Sequence, residues 1–244
     1  MLLREPIPTI LLDIEGTTTP LAFVHETLFP YVRSHVKDFL EQHSASIDVR
    51  AELTSLQQEN LADVRAALNP PTLVYDSPQS QLESTVAYVE WLMDRDRKST
   101  ALKSLQGRIW EEGYKSGMLL APVFDDVPDA FRRWREQHRN VAIFSSGSVL
   151  AQQLLFSHTA AGDLTPYISA HFDTTTGGKT DAVSYQKIAA TLGPTRDIVF
   201  ISDVVAELDA ASNAGLQVLL CERIGNSPQP SSPHRRISDF TNVP

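Results

Sequence analysis

The sequence predicts an α/β fold: a parallel sheet with a helical domain inserted after its first strand. Three observations predict it. Four short apolar runs, TILLDI (Thr9–Ile14), VAIFSS (Val141–Ser146), DIVFISD (Asp197–Asp203) and LQVLLCE (Leu216–Glu222), are too short for typical helices and lack polar alternation, as strands covered on both faces do. Helix-like sequence separates the last three: SVLAQQLLFSH follows the second run, DAVSYQKIAATLG precedes the third and VAELDAASNAG follows it. Between the first and second runs, from about Leu21 to Ala121, there is no convincing strand and much helical periodicity.

Taken in order, the first run ends on Asp13, with Glu15 two residues on in ILLDIEGTTTP. In the insert, Val49, Leu53 and Leu56 begin one helical face, Leu82, Val86, Val89 and Met93 share a second, and Leu102, Leu105 and Ile109 share a third. The Pro-rich stretch NPPTLVYDSPQS, Asn69–Ser80, breaks the helices. After the insert, Gly193 and Gly215 stand where helix C-termini are expected. The tail GNSPQPSSPHRR reads as a loop, and no internal repeat is found. The expected organisation is a core of residues 1–20 and 122–244, joined by right-handed crossovers, and a helical insert of residues 21–121.

Composition narrows the function. The 244 residues are 42 % hydrophobic and 21 % charged, ordinary for a soluble globular protein. A net charge of -9 without a long basic run argues against nucleic acid and acidic membranes as partners. An acidic protein that binds an anion must use local cations, backbone N–H groups or a metal. The single cysteine, Cys221, forbids an intrachain disulfide and reads as a small buried strand residue. MLLREPIPTI lacks the pattern of a signal peptide, and no apolar run reaches membrane-spanning length. The expected location is the cytoplasm, with the nucleus as a second possibility in a eukaryote.

In open α/β sheets, ligands bind beyond the carboxyl ends of the strands. Asp13 and Glu15 follow the first strand, Ser145, Ser146 and Gly147 the second, and Ser202 and Asp203 the third, with Glu207 one helical turn later. Lys179 of GGKT precedes a helix between the second and third. These groups suit phosphoryl transfer. A carboxylate such as Asp13 can attack phosphorus. The repulsion between two anions then calls for Mg²⁺, held by the side chains of Asp13 and Asp203 and the backbone carbonyl of Glu15. Lys179 and Ser145, with the N–H groups of Ser146 and Gly147, would stabilise the transferring group. The Glu15 side chain would protonate the leaving oxygen and then activate water. Singly, each has a plainer reading: Asp13 as a turn former, SSGS as a turn and helix cap, Lys179 as a solvated lysine, Glu207 as a group outside the ligand set. Their order and shared strand-end placement favour a site.

The motifs DIEGT (Asp13–Thr17), SSGS (Ser145–Ser148), Lys179 and SDVVAE (Ser202–Glu207) resemble those of the haloacid dehalogenase superfamily. The implied fold is a Rossmann-like core of that type with the helical insert as its cap. Glu15 departs from most phosphatases of the superfamily. Together with DRKSTALKSLQGRIWEEGYKSG, IFSSGSVLAQQLLFSH and HFDTTTGGKTDAVSYQKIA, it is similar to the enolase-phosphatases of methionine salvage. That resemblance runs from Ile10 to about Gly225. It implies a Mg²⁺-dependent monomer that enolises 2,3-diketo-5-methylthiopentyl-1-phosphate and dephosphorylates it to the acireductone 1,2-dihydroxy-3-keto-5-methylthiopentene. Asp13, Glu15 and Asp203 match its metal site, and Ser145, Ser146 and Lys179 its phosphate and substrate site. Arg97, Lys98 and Lys103 of the insert are candidates for holding the diketo end. The alternatives are a phosphatase of another small phosphate ester without enolase activity, a metal-free dehalogenase, which Glu15 and Asp203 disfavour, and a non-catalytic scaffold, which four intact motifs disfavour.

Overall fold

The computed structural model describes residues 8–243. They form two compact units: residues 8–26 with 117–243, and Thr27–Ser116. In chain order the elements are β1 (Thr9–Leu12), α1 (Leu21–Phe23), a π-helical turn (Val24–Leu28), α2 (Phe29–His43), α3 (Ile47–Arg65), α4 (Pro78–Asp94), α5 (Thr100–Lys115), α6 (Asp126–Glu136), β2 (Asn140–Phe144), α7 (Val149–Ser157), β3 (Ile168–Phe172), α8 (Ala182–Leu192), β4 (Ile198–Ser202), α9 (Val205–Asn213), β5 (Gln217–Cys221) and β6 (Arg236–Ile237).

All six strands of the first unit are parallel, in the order β3-β2-β1-β4-β5-β6. The central strands are apolar throughout because both of their faces are covered. Leu11, Ala142, Phe144 and Phe200 share one core with Tyr185 and Ile188 of α8 and Leu208 and Ala211 of α9. Alternation sends Ile10, Leu12, Val141, Ile143, Val199 and Ile201 the other way, and all six are buried too. The four expected strands are present, and two more were not foreseen. β3 runs along one edge and is only half-buried, so its sequence ISAHF carries polar residues. β6 is two residues long and closes the other edge, starting on Arg236, the last residue of the expected loop.

The second unit contains α2 to α5. Leu102, Leu105 and Ile109 of α5 and Val49 and Leu56 of α3 are buried, as their spacing predicts, while Leu53 is only half-buried. The face of α4 is rotated from the predicted one. Ser84, Thr85, Tyr88, Val89, Trp91 and Leu92 are buried, while Leu82, Val86 and Met93 are half-buried. Ser84 and Thr85 tolerate burial because their hydroxyls donate to the Gln81 carbonyl, at 3.1 and 2.8 Å. A count of apolar letters misses such residues.

Candidate active site

The strand order places β1 between β2 and β4. The chain beyond β1 therefore lies between the SSGS loop and the loop that carries Asp203. Asp13 continues the ladder past the strand, its N–H donating to Ile201 O at 3.0 Å. The following loop closes on itself. Ile14 O accepts from the N–H groups of Thr17, Thr18 and Thr19 at 3.2, 2.9 and 2.9 Å, and Gly16 N–H donates to Thr19 O at 2.8 Å. Gly16 has φ +70°, and a Cβ there would run into the Asp203 carboxylate. Only glycine lets the loop approach Asp203 so closely.

Lys179 reaches this loop from beyond β3. Gly177, with φ +145°, opens the turn, and a Cβ there would meet the hydroxyl of Ser184. The lysine is buried, and its Nζ lies 2.6 Å from Asp13 Oδ1 and 2.6 Å from Glu207 Oε2. Its carbonyl accepts from Tyr185 Oη at 2.6 Å, and Ser202 Oγ donates to Glu207 Oε2 at 2.9 Å. Burial opposes the ammonium, but Asp13 and Glu207 together hold its pKa above the ordinary value. One ammonium thus serves three buried carboxylates, and the deficit shows at Asp203. Burial first, then the charges of Asp13 and Glu207, push its carboxyl up to about 7. Glu207 is raised by burial and by Asp13. Such a concentration of displaced carboxylates is characteristic of functional sites.

The SSGS loop follows β2. Ser145 is buried, with its N–H donating to Phe172 O at 3.2 Å, and Ser146 is exposed. Gly147 N–H, expected to face an anion, instead donates to Ser145 Oγ at 3.1 Å. Ser148 caps α7, accepting from Ala151 N–H at 3.2 Å. Buried Gln152 braces the loop, donating to Gly147 O at 2.9 Å and Phe172 O at 2.8 Å.

The structure brings together Asp13, Lys179 and Asp203, with Ser145 at the end of the adjacent strand. Glu15 is half-buried and bridges to Thr19. Glu207, read from the sequence as outside the ligand set or on the surface, is a direct partner of Lys179. Its position one turn after Asp203 was the available signal. Cys221 is buried, and burial pushes its thiol up to about 12, so it is inert. In the helical unit, Arg97 pairs with Asp63 at 2.6 Å, and the exposed Lys98 pairs with Asp96 at 2.8 Å. Lys103 lies in the first turn of α5, its N–H donating to Ser99 O at 3.1 Å.

Among the described residues, no three His, Cys, Asp or Glu side chains form a metal cage on their own. The available donors are the carboxylates of Asp13 and Asp203 and nearby backbone carbonyls. Such an all-oxygen set, completed by water and a phosphate, fits Mg²⁺ rather than a thiolate- or imidazole-seeking metal. The raised carboxyl of Asp203 is the electrostatic counterpart of that fit.

Parallel topology and strand-end carboxylates around a buried lysine define a hydrolase class. Residues 7–215 match the model of the haloacid dehalogenase-like hydrolases, and the chain belongs to that family. A protein of Synechococcus elongatus named enolase-phosphatase E1 is 50 % identical over 228 residues, 93 % of each chain. One of the same name from Dictyostelium discoideum is 41 % identical over 236 residues, 91 % of this chain and 88 % of that one. The crystal structure of the UTR4 protein of Saccharomyces cerevisiae superposes with a TM-score of 0.80 at 34 % identity, covering 98 % of this chain and 100 % of that one. Among the described residues, no helix is long and apolar enough to cross a membrane.

Proposed function

We propose that this chain is a Mg²⁺-dependent enolase-phosphatase that converts 2,3-diketo-5-methylthiopentyl-1-phosphate into the acireductone 1,2-dihydroxy-3-keto-5-methylthiopentene and phosphate. The observation that carries the phosphatase half is the buried Lys179 held between Asp13 and Glu207 beside Asp203. Similarity to proteins named enolase-phosphatase E1 over nearly the whole chain supports the enolase half.

In this reading Asp13 is the nucleophile. A carboxylate oxygen attacks phosphorus, the bond from phosphorus to the substrate oxygen breaks, and the Glu15 carboxyl gives that oxygen its proton. Glu15 then takes a proton from water, which attacks the aspartyl-phosphate and restores Asp13. Lys179 holds the nucleophile and neutralises charge on the transferring group, with Glu207 and Ser202 holding the lysine in line. Ser145 and Ser146 bind the phosphate with Lys179. Asp13 and Asp203, with the Glu15 carbonyl, would hold Mg²⁺. When bound, the ion supplies a Lewis acid for the phosphate and for the diketone carbonyl, making the neighbouring C–H more acidic. The helical unit is assigned the cap role, and the protein is assigned to the cytoplasm as a monomer.

The test is ultraviolet absorbance and phosphate release measured together on the diketo phosphate, with and without Mg²⁺. Enol absorbance should rise before phosphate appears, and only with the metal. Hydrolysis of other phosphomonoesters with no action on the diketo phosphate would instead support a phosphatase of another small ester.

A further inference from the structure

The family match ends at residue 215, yet the catalytic loop is held from beyond it. After β5 the chain turns at Arg223–Asn226, with Asn226 N–H donating to Arg223 O at 3.1 Å and Gly225 at φ +94°. The first and last residues of this turn both reach the loop after β1. Arg223 Nε donates to Thr17 O at 3.1 Å. Asn226 Nδ2 donates to Gly16 O at 2.9 Å and contacts Cys221 O at 3.4 Å. Two carbonyls facing one end of the carboxamide fix which end is the nitrogen.

The turn is itself anchored. Arg223 is buried and makes a two-pronged pair with Asp126, at 2.7 and 3.0 Å. Its guanidinium lies over Phe124 and Phe240, at 4.5 and 4.6 Å from the ring centroids. Asp126 also accepts from Phe240 N–H at 2.7 Å, which draws the C-terminal segment into the same knot.

The held backbone is the part of the loop that matters. The Gly16–Thr17 peptide is gripped at both ends, its N–H by Ile14 O at 3.2 Å and its carbonyl by Asn226 at 2.9 Å. The preceding Glu15–Gly16 peptide is gripped through its N–H by Thr19 O at 2.8 Å. A Cβ at Gly16 would run into the Asp203 carboxylate and come within 3.1 Å of Asn226 Oδ1, so carboxylate and carboxamide both crowd Gly16. We propose that Asn226, seated by Arg223, is a positioning residue that fixes the Glu15–Gly16–Thr17 backbone against Asp203 for cation binding and phosphoryl transfer. The proposal rests on the function proposed above. Outer partners of this kind typically change metal affinity or activity by about 10–100-fold when removed.

The test uses the full chain carrying Asn226→Ala, with Ser227→Ala, the residue after the turn, as control. Mg²⁺ titration calorimetry should show affinity lowered about tenfold or more. Turnover of a phosphate substrate that the wild type hydrolyses, at saturating Mg²⁺, should show a lower kcat with KM changed by less than about twofold. Hydrogen exchange at Gly16–Thr19 should quicken in chelator while the melting temperature stays close to that of the control. Asn226→Ser shortens the side chain without emptying the position and carries the same expectation. Mg²⁺ affinity and kcat both within about twofold of wild type would overturn the positioning role. A wild type inactive on the diketo phosphate but active on another ester would overturn the substrate assignment instead, and the Mg²⁺ titration of the variants would still decide the role of Asn226.

Discussion

Both units bury charge, and they treat it differently. In the helical unit Asp63 accepts from Tyr88 Oη at 2.8 Å and pairs with Arg97 at 2.6 Å, while Glu52 accepts from Ser104 and pairs with Arg108 at 2.7 Å. Each buried acid there has its own arginine. In the α/β unit, Asp13, Asp203 and Glu207 share Lys179, and Asp203 is left with a carboxyl displaced to about 7. Balanced burial holds helices together. Unbalanced burial at strand ends is what the proposed site would use to take up a cation, and with it an anion. Substitutions at the two kinds of acid should therefore have opposite consequences for activity and stability.

The largest effect is expected at Asp13. Asp13→Asn removes the nucleophile and should cut phosphate release at least about a hundredfold, or ~2.7 kcal/mol of barrier. Retention of more than about 1 % of the rate would remove Asp13 from that role. Lys179→Ala should lower kcat/KM by roughly two to three orders, the usual loss for a preorganised electrostatic donor. A near-normal value would reduce the lysine to a structural pair.

Asp203→Asn separates function from stability. It should raise the Mg²⁺ concentration needed for activity, read from a metal titration, yet stabilise the protein in chelator. The sign follows from the raised carboxyl. The folded state holds a proton on Asp203 up to about pH 7, against an ordinary value of 3.8. This group's contribution is thus fully present below about pH 4 and is lost as pH rises through about 7. At pH 8 the asparagine variant should be more stable than metal-free wild type by about 2–4 kcal/mol, and the gap should close at low pH. Melting curves at pH 5 and pH 8 check both points.

The smallest catalytic effect is expected in the helical unit. Arg97→Ala leaves Asp63 buried with only Tyr88. Arg97 is partly exposed, which limits the loss to about 1–2 kcal/mol. Hydrolysis of a small aryl phosphate should hardly change. A large fall in that activity without a stability loss would blur the contrast between the two units and return Arg97 to the substrate.

The legible parts of this molecule are those fixed by local pattern. Apolar runs ending in Asp13, Ser145 and Asp203 announced both the buried parallel strands and the edge where their acids meet. β3 was missed because an edge strand is half-solvated, so ISAHF lacks the apolar run that betrayed the others. Glu207 was read as lying outside the ligand set or on the surface, and its grip on Lys179 was not legible, because sequence does not say whether the first turn of α9 faces the sheet edge. Asn226 left no signal at all. Its contact with Gly16 spans 210 positions and depends on a turn folded by Arg223, Asp126 and two phenylalanines from separate segments.

In the proposed function the unbalanced carboxylates perform the chemistry, with Asp13 taking the phosphoryl group. Borohydride trapping during turnover tests it most directly, because reduction of an aspartyl-phosphate converts that one aspartate to homoserine. Peptide mass spectrometry should find the conversion at Asp13, dependent on substrate and Mg²⁺ and absent in Lys179→Ala. Rapid turnover with no homoserine at Asp13, or with the mark on another carboxylate, would show that Asp13 does not take the phosphoryl group.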